Sequence, residues 1–373
     1  MSEKLKILIA PDKFKGSLSA MDVCRAIGKG LEQQGPKFDI QFHPMADGGD
    51  GSLAIIDQHL NLEKEEVKTS DPLGRPIATF YYRSGRTAFV ELAKASGIVL
   101  LDKSEYNPLK TSTIGTGKMI VDAIAKGCNE IYIFLGGSST NDGGMGIAHE
   151  LGIGFFDANH ETLYPCGENL SKVVSIHGDP FFDSKKIKFT LLCDVTNPLY
   201  GPNGAAQVYA RQKGADDAMM HTLDLGLKHF SERLLDYSGI DMSQRAGSGA
   251  AGGIAAALGS IFKATMKSGT ETLAELTNLE SQIQNADIVI SGEGKLDSQS
   301  LQGKVIDGIA KLCKKHNKPL VLFVGKNELS KLAEQDLSIE QIFAVFDEAR
   351  SLQDAMQNAP TYLRQLAYKY SLI

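Results

Sequence analysis

The sequence predicts an α/β protein of two domains: a Rossmann-like, doubly wound parallel sheet interrupted by a second, mixed α/β domain. Three observations carry this. Short aliphatic runs alternate with helix-length amphipathic stretches at both ends of the chain, the grammar of a parallel sheet covered on both faces. The runs end in glycine-containing, charged loops, which in open parallel sheets lie together at the carboxyl ends of the strands. With 373 residues the chain is too long for one ordinary core.

Residues 6–10 (KILIA) read as a buried strand that stops at Pro11 and enters the loop PDKFKGS. Ser17 or Ser19 can cap a helix over about 20–33. Residues 38–45 (FDIQFHPM) read as a second strand, followed by ADGGDGS and a helix over about 52–59. Far downstream the pattern resumes: a strand over 287–290, the loop SGEGKLD, a helix over about 301–316, and a strand over 320–324 ending at Gly325. A short helix over about 330–335, a strand over 342–346 and a last helix over about 351–368 complete it. Residues 1–66 and 286–373 are therefore assigned to one discontinuous domain.

Residues 67–285 form the inserted domain. VKTSDPLGRP (67–76) reads as a turn-rich crossing linker, and 77–82 with 87–92 as a hairpin. NPLKTSTIGTGK (107–118) runs into a helix ending near Gly127. Strands over 130–135 and 188–193 meet GGSSTNDGGMG and DVTNPLYGPNG, a helical region covers about 215–237, and GSGAAGGIAAALG opens a further helix.

Composition narrows the function classes. A hydrophobic content of 42% and a charged content of 23% suit a globular enzyme, and a net charge of -6 without basic runs argues against a nucleic-acid binder. Five scattered cysteines without Cys-x-x-Cys fit reduced thiols and a cytoplasmic location. No His-Glu-x-x-His suggests zinc, and no segment reads as a signal peptide or a membrane span. A homodimer is allowed by the sequence but not specified by it.

Several loops carry candidate chemistry. Gly-Lys pairs recur, but none completes a P-loop. Gly247–Gly252 matches G-x-G-x-x-G without a strand before it, so Gly249 and Gly252 suit a tight helix entry near a phosphate better than a dinucleotide fingerprint. Gly136, Gly137, Ser138, Ser139, Thr140 and Asn141 combine backbone N–H groups with side-chain donors at a strand exit and suit an anion cradle. Asp47 and Asp50, with Glu293, are candidate Mg²⁺ ligands, since that ion takes one or two carboxylates plus waters and phosphates. Lys13 and Lys15, with Ser17, could hold a small carboxylate or phosphate. Asp194 and Asp297 could each accept a hydroxyl proton, and Lys295 could neutralise a transferring phosphate. Taken singly, each is as readily a capped, solvated turn; jointly they suit phosphoryl transfer.

PDKFKGSLSA (11–20), MADGGDG (45–51), DPLGR (71–75), GTGKMI (115–120), GGSSTNDGGMG (136–146), CDVTNPLYGPNGA (193–205), GSGAAGG (247–253) and SGEGKLDSQSLQGK (291–304) together resemble the type I glycerate kinase family over nearly the whole chain. The resemblance implies ATP-dependent, Mg²⁺-assisted phosphorylation of D-glycerate, typically at the 2-hydroxyl, and a Rossmann-like domain interrupted by a second one. Lys295 stands where the family often carries Arg, which keeps the charge but loses the planar fork. The expected site is a cleft between the domains. The competing readings are a non-catalytic sugar-acid sensor and a nicotinamide-dependent sugar-acid oxidoreductase using the 247–252 glycines.

Overall fold

The computed structural model describes residues 4–49, 51–297, 300, 304–329 and 339–370. It divides into two compact units, Met1–Asp47 with Ser268–Ile373, and Gly48–Lys267.

The first unit is built on five parallel strands in the spatial order Phe38–Phe42, Leu5–Ile9, Ile288–Ser291, Leu320–Val324, Ile339–Ala344. Ile7 lies between Ile40 and Ile288, and Ile290 pairs with Val321. The chain steps from Leu5–Ile9 to one neighbour, leaves, and re-enters on the other side at Ile288–Ser291. The winding therefore reverses between those two strands, which is where open α/β sheets bind ligands.

Both faces of the sheet are covered, so the strands are continuously apolar. Ile7, Ile9, Ile288, Ile290, Val321 and Phe323 pack with the helices Ala20–Glu32 and Ala359–Lys369. The alternate residues Leu8, Val289, Leu320 and Leu322 are equally buried, as the two-residue period requires. The first helix starts where the Ser19 hydroxyl accepts from the Asp22 N–H at 3.1 Å. It crosses Ala359–Lys369 so closely that a Cβ on Gly30 would lie 2.3 Å from the Arg364 carbonyl.

The second unit is a six-stranded mixed sheet in the order Thr265–Lys267, Lys188–Leu192, Glu130–Phe134, Thr87–Glu91, Pro76–Ser84, Glu63–Ser70. The first four strands are parallel, and the last two join them antiparallel. The hairpin over 77–92 is present. The linker read over 67–76 is not: Glu63–Ser70 is a strand paired along its length with Pro76–Ser84, and only the turn between them is irregular. Its sequence, EKEEVKTS, is an edge strand whose charges hide the alternation.

The units divide at 47/48 and 267/268, not at 66/67 and 285/286. The helix Ser52–Leu60 packs on the strands Pro76–Ser84 and Thr87–Glu91, whereas Gly269–Leu276 and Leu279–Asn285 pack with the helix Val305–Lys315. Other elements shift locally. The strand read over 342–346 runs Ile339–Ala344, and the last helix is two, Leu352–Gln357 and Ala359–Lys369, with Pro360 in the first turn of the second. The helix read over 330–335 and residue Asp50 lie outside the described residues. Among the described residues no helix is long and apolar enough to cross a membrane.

Candidate functional site

At the switch point of the first unit, the loops leaving Leu5–Ile9, Ile288–Ser291 and Leu320–Val324 are stitched together beyond the strand ends. Ala10 N–H donates to the Ile290 carbonyl at 2.7 Å, Asp12 N–H to Gly292 at 2.8 Å, and Gly325 N–H to Glu293 at 3.0 Å. Glycine is what permits this approach. A Cβ on Gly292 would lie 1.8 Å from the Phe323 carbonyl, and one on Gly325 2.2 Å from the Gly294 carbonyl. Phe14 is buried in the core and anchors a turn closed by Phe14 N–H to Leu18 at 2.9 Å and Leu18 N–H back to Phe14 at 2.9 Å. Its neighbours Lys13 and Lys15 consequently line the cavity above.

That cavity measures about 370 Å³ and lies wholly within the first unit. Its floor carries Lys13, Lys15, Lys295, Lys304 and Lys326 among Asp12, Asp47, Glu293 and Asp297. Its wall is apolar, with Val345, Ala355 and the more exposed Leu352 and Met356 at i, i+4 spacing. The pocket therefore combines cations with apolar surface in one lining.

The carboxylates are not equally compensated. Burial, then the charge of Asp47, pushes Asp12 up to about 7. Burial pushes Glu293 up to about 7, against the pull of Ser300 and Lys304. Glu293 Oε1 is buried without a hydrogen-bond partner among the described residues. Two carboxyls that resist ionisation, one with an orphaned oxygen, suit a hard divalent cation. Among the described residues no three acidic, thiol or imidazole groups form a closed cage, but Mg²⁺ completes its shell with phosphate and water oxygens.

Lys295 is already engaged, 2.7 Å from Glu328 and 3.3 Å from Asp297. Glu328 also holds Lys326 at 2.7 Å, and the hydrogen bonds from the two lysines, Lys295 first, depress it to about 2. Ser17 is spent as well: its hydroxyl donates to the Met356 carbonyl at 2.5 Å and ties the lysine turn to the apolar wall.

The second unit holds the other expected residues: Asp194, the 136–141 loop, Gly249 and Gly252. Asp194 follows the strand Lys188–Leu192 and is half-buried. In the 136–141 loop the side chains divide into two pairs. Ser139 donates to the Ser96 carbonyl at 3.1 Å, and Ser138 accepts from the buried Lys213 ammonium at 2.7 Å, which also reaches the Thr140 carbonyl at 2.7 Å. Thr140 Oγ1 and both polar atoms of the Asn141 amide are buried without partners among the described residues, as is Ser248 Oγ. Asp142 is fully engaged by Thr113 and the Gly144 and Gly146 N–H groups. Gly252 serves close packing: a Cβ there would lie 2.1 Å from the Thr140 carbonyl. The segment before Gly247 is turn, not strand, so the dinucleotide context for 247–252 is missing.

The sequence reading named Lys13, Lys15, Ser17, Asp47, Glu293, Lys295 and Asp297 for an interdomain cleft; these seven line the cavity of the first unit. It overlooked Asp12, Lys304 and Lys326 there, and Lys213 and Ser248 in the second unit. Asp12 could have been found by the strand-exit argument applied to Asp194, since it follows KILIAP directly.

Comparison with known proteins bears on the whole chain. A model of the glycerate kinase family matches residues 7–371. Glycerate kinase from Bacillus subtilis (strain 168) is 37% identical over 367 residues, covering 97% of this chain and 96% of that protein. Glycerate 2-kinase from Escherichia coli (strain K12) is 38% identical over 360 residues, covering 95% of this chain and 94% of that protein. A crystal structure from Salmonella typhimurium LT2, provisionally named glycerate kinase 2, is similar with a TM-score of 0.83 at 35% identity, covering 98% of this chain and 97% of that one. Since these matches run through both units, the chain belongs to the glycerate kinase family, enzymes that phosphorylate glycerate.

Proposed function

We propose that this enzyme transfers the γ-phosphoryl group of ATP to the 2-hydroxyl of D-glycerate, assisted by Mg²⁺, and that the nucleotide occupies the cavity of the first unit. The observation that carries the placement is the pairing of a lysine-rich floor with an apolar wall at the sheet's switch point. Glycerate is a small, wholly polar acid and has no use for the surface of Leu352 and Met356. An adenine ring does, and pockets of ~300–1,000 Å³ suit ligands of nucleotide size. Lys13 and Lys15, read from sequence as a grip for glycerate's carboxylate, are better matched to phosphates here.

In this reading Lys13, Lys15, Lys304 and Lys326 orient and neutralise the phosphate chain, work that is mostly positioning and charge stabilisation. Asp12, Asp47 and Glu293 would hold Mg²⁺, directly or through water. The ion would supply charge neutralisation between the phosphate oxygens. Lys295 acts within its clamp of Glu328 and Asp297 and not as a free cation. Asp194 or Asp297 accepts the proton of the attacking hydroxyl, a role worth roughly 10²–10⁴-fold. The backbone at Gly136 and Gly137 remains available to anionic oxygens.

The test is a coupled ADP-release assay on D-glycerate with and without Mg²⁺, with phosphorus NMR of the product. ADP formation with a 2-phosphoglycerate resonance is expected. Glycerate binding without ADP, or a 3-phosphoglycerate product, would overturn the reading.

A further inference from the structure

We infer that Asn141 reads a hydroxyl group of the acceptor alcohol and forms, with Thr140 and Ser248, an acceptor socket in the second unit. The inference rests on the proposed reaction and adds to it the place and chemistry of acceptor recognition.

Asn141 is 0% exposed, and neither its Nδ2 nor its Oδ1 has a hydrogen-bond partner among the described residues. Burying an unsatisfied amide costs free energy. Nearly every buried polar group in a folded protein is matched. Single unmatched atoms also occur elsewhere in the second unit, at His149, Ser175 and Arg233, but among the described residues only here do they fall on consecutive residues. Thr140 Oγ1, one residue earlier, is orphaned too, and so is Ser248 Oγ on the glycine turn whose Gly252 is packed against the Thr140 and Asn141 backbone. Side chains that merely build the loop are satisfied: Ser138, Ser139 and Asp142 all have partners.

The chemistry of the unmatched atoms selects the ligand. Asn141 offers donors and an acceptor side by side, and the two hydroxyls can do either. A fully ionised phosphate presents only acceptors and would leave Oδ1 facing negative charge. Lys213, which reaches the loop from residues 211–213, is committed to Ser138 and the Thr140 carbonyl. Asp142, next in the chain, adds a buried carboxyl that disfavours a dianion. A ligand hydroxyl satisfies both halves of the amide in turn: it donates to Oδ1, and a neighbouring oxygen accepts from Nδ2. D-Glycerate carries hydroxyls on adjacent carbons beside a carboxylate. The ribose of ATP carries the same diol, so the experiment must separate the two sources.

Calorimetric titration of the full chain with D-glycerate, a non-hydrolysable ATP analogue and tripolyphosphate does so. The variants are Asn141→Leu, close in shape and apolar, and Asn141→Ala in case the first does not fold. Loss of glycerate affinity by about tenfold or more is expected, with the nucleotide and tripolyphosphate unchanged within about twofold. Thermal stability should hold or rise, because an unsatisfied amide has been removed. With 3-hydroxypropionate or D-lactate, each lacking one hydroxyl, the variant should lose less, and for one of them nothing. Equal losses for both analogues and glycerate would overturn hydroxyl reading. So would a loss confined to the nucleotide, a loss shared by all three ligands, or no loss at all, the last meaning that water serves the amide. Failure of the kinase assay would leave these isotherms readable, so the two ideas fail separately.

Discussion

Lys213 is buried against the carbonyl of Thr140, its ammonium 2.7 Å from that oxygen and 2.7 Å from the Ser138 hydroxyl. Burial lowers it from an ordinary value of 10.5 to about 7, with the charge of Asp142 opposing the shift. Between those two values the unfolded chain binds a proton that the folded chain has released. Stability therefore rises with pH across that window, and the cost of burying the charge is complete only below about 7. Urea midpoints should climb from pH 7 towards pH 10 by more in the wild type than in Lys213→Met. Parallel curves would mean that the ammonium keeps its proton throughout.

Gly292 makes a second, purely steric prediction. A side chain there meets the Phe323 carbonyl at 1.8 Å, at the point where two central strands hand over to the cavity loops. Gly292→Ala must push those loops apart, and overpacking of this kind costs about 1–3 kcal/mol. Chemical unfolding should show that loss, with a fall in nucleotide affinity, because the Asp12 and Glu293 backbone is hydrogen-bonded to the same loops. A Gly85→Ala control, where nothing lies within 4 Å of the added carbon but φ is +56°, carries backbone strain alone and should leave affinity intact.

The strand and loop at 288–297 are legible from sequence because a β-branched run ending in Gly292 and Gly294 has few other uses. The central strands are legible for the same reason: burial on both faces leaves an unbroken apolar run. Glu63–Ser70 was not, because an edge strand may be charged on both faces without losing its ladder. At the site, residue types near strand exits were readable, but their pairing was not. Nothing local in the sequence says that Glu328 will clamp Lys295, or that Ser17 will be spent on Met356. The isolation of Asn141 is least legible of all, since an orphaned atom is defined by everything around it.

Glu293 Oε1 tests the cation reading without any turnover. If Asp12, Asp47 and Glu293 hold Mg²⁺, the ion alone should raise the melting temperature at pH 8, where Asp12 and Glu293 are mostly ionised. It should raise it less at pH 5, where protons compete for Asp12 and Glu293, both at about 7. Glu293→Gln and Asp12→Asn should each abolish most of the Mg²⁺-dependent shift. Their own melting temperatures without the ion should be no lower than wild type at pH 8, because each removes a poorly compensated buried charge. A full Mg²⁺ shift in both variants would move the ion elsewhere.

Asp194 and Asp297 separate by kinetics. Asp297 is engaged by Lys295 at 3.3 Å, on the floor of the cavity assigned to the nucleotide. Its replacement by Asn should disturb the grip on phosphates and appear chiefly as a raised KM for ATP. Asp194 lies in the second unit, with the proposed acceptor socket. Asp194→Asn keeps the shape but removes the base, so kcat should fall by about 10²–10⁴ with both KM values within a few fold. Steady-state kinetics of the two variants, with melting curves to confirm folding, decide between them. A kcat collapse in Asp297→Asn with little change in Asp194→Asn would transfer the proton-accepting role to the first unit.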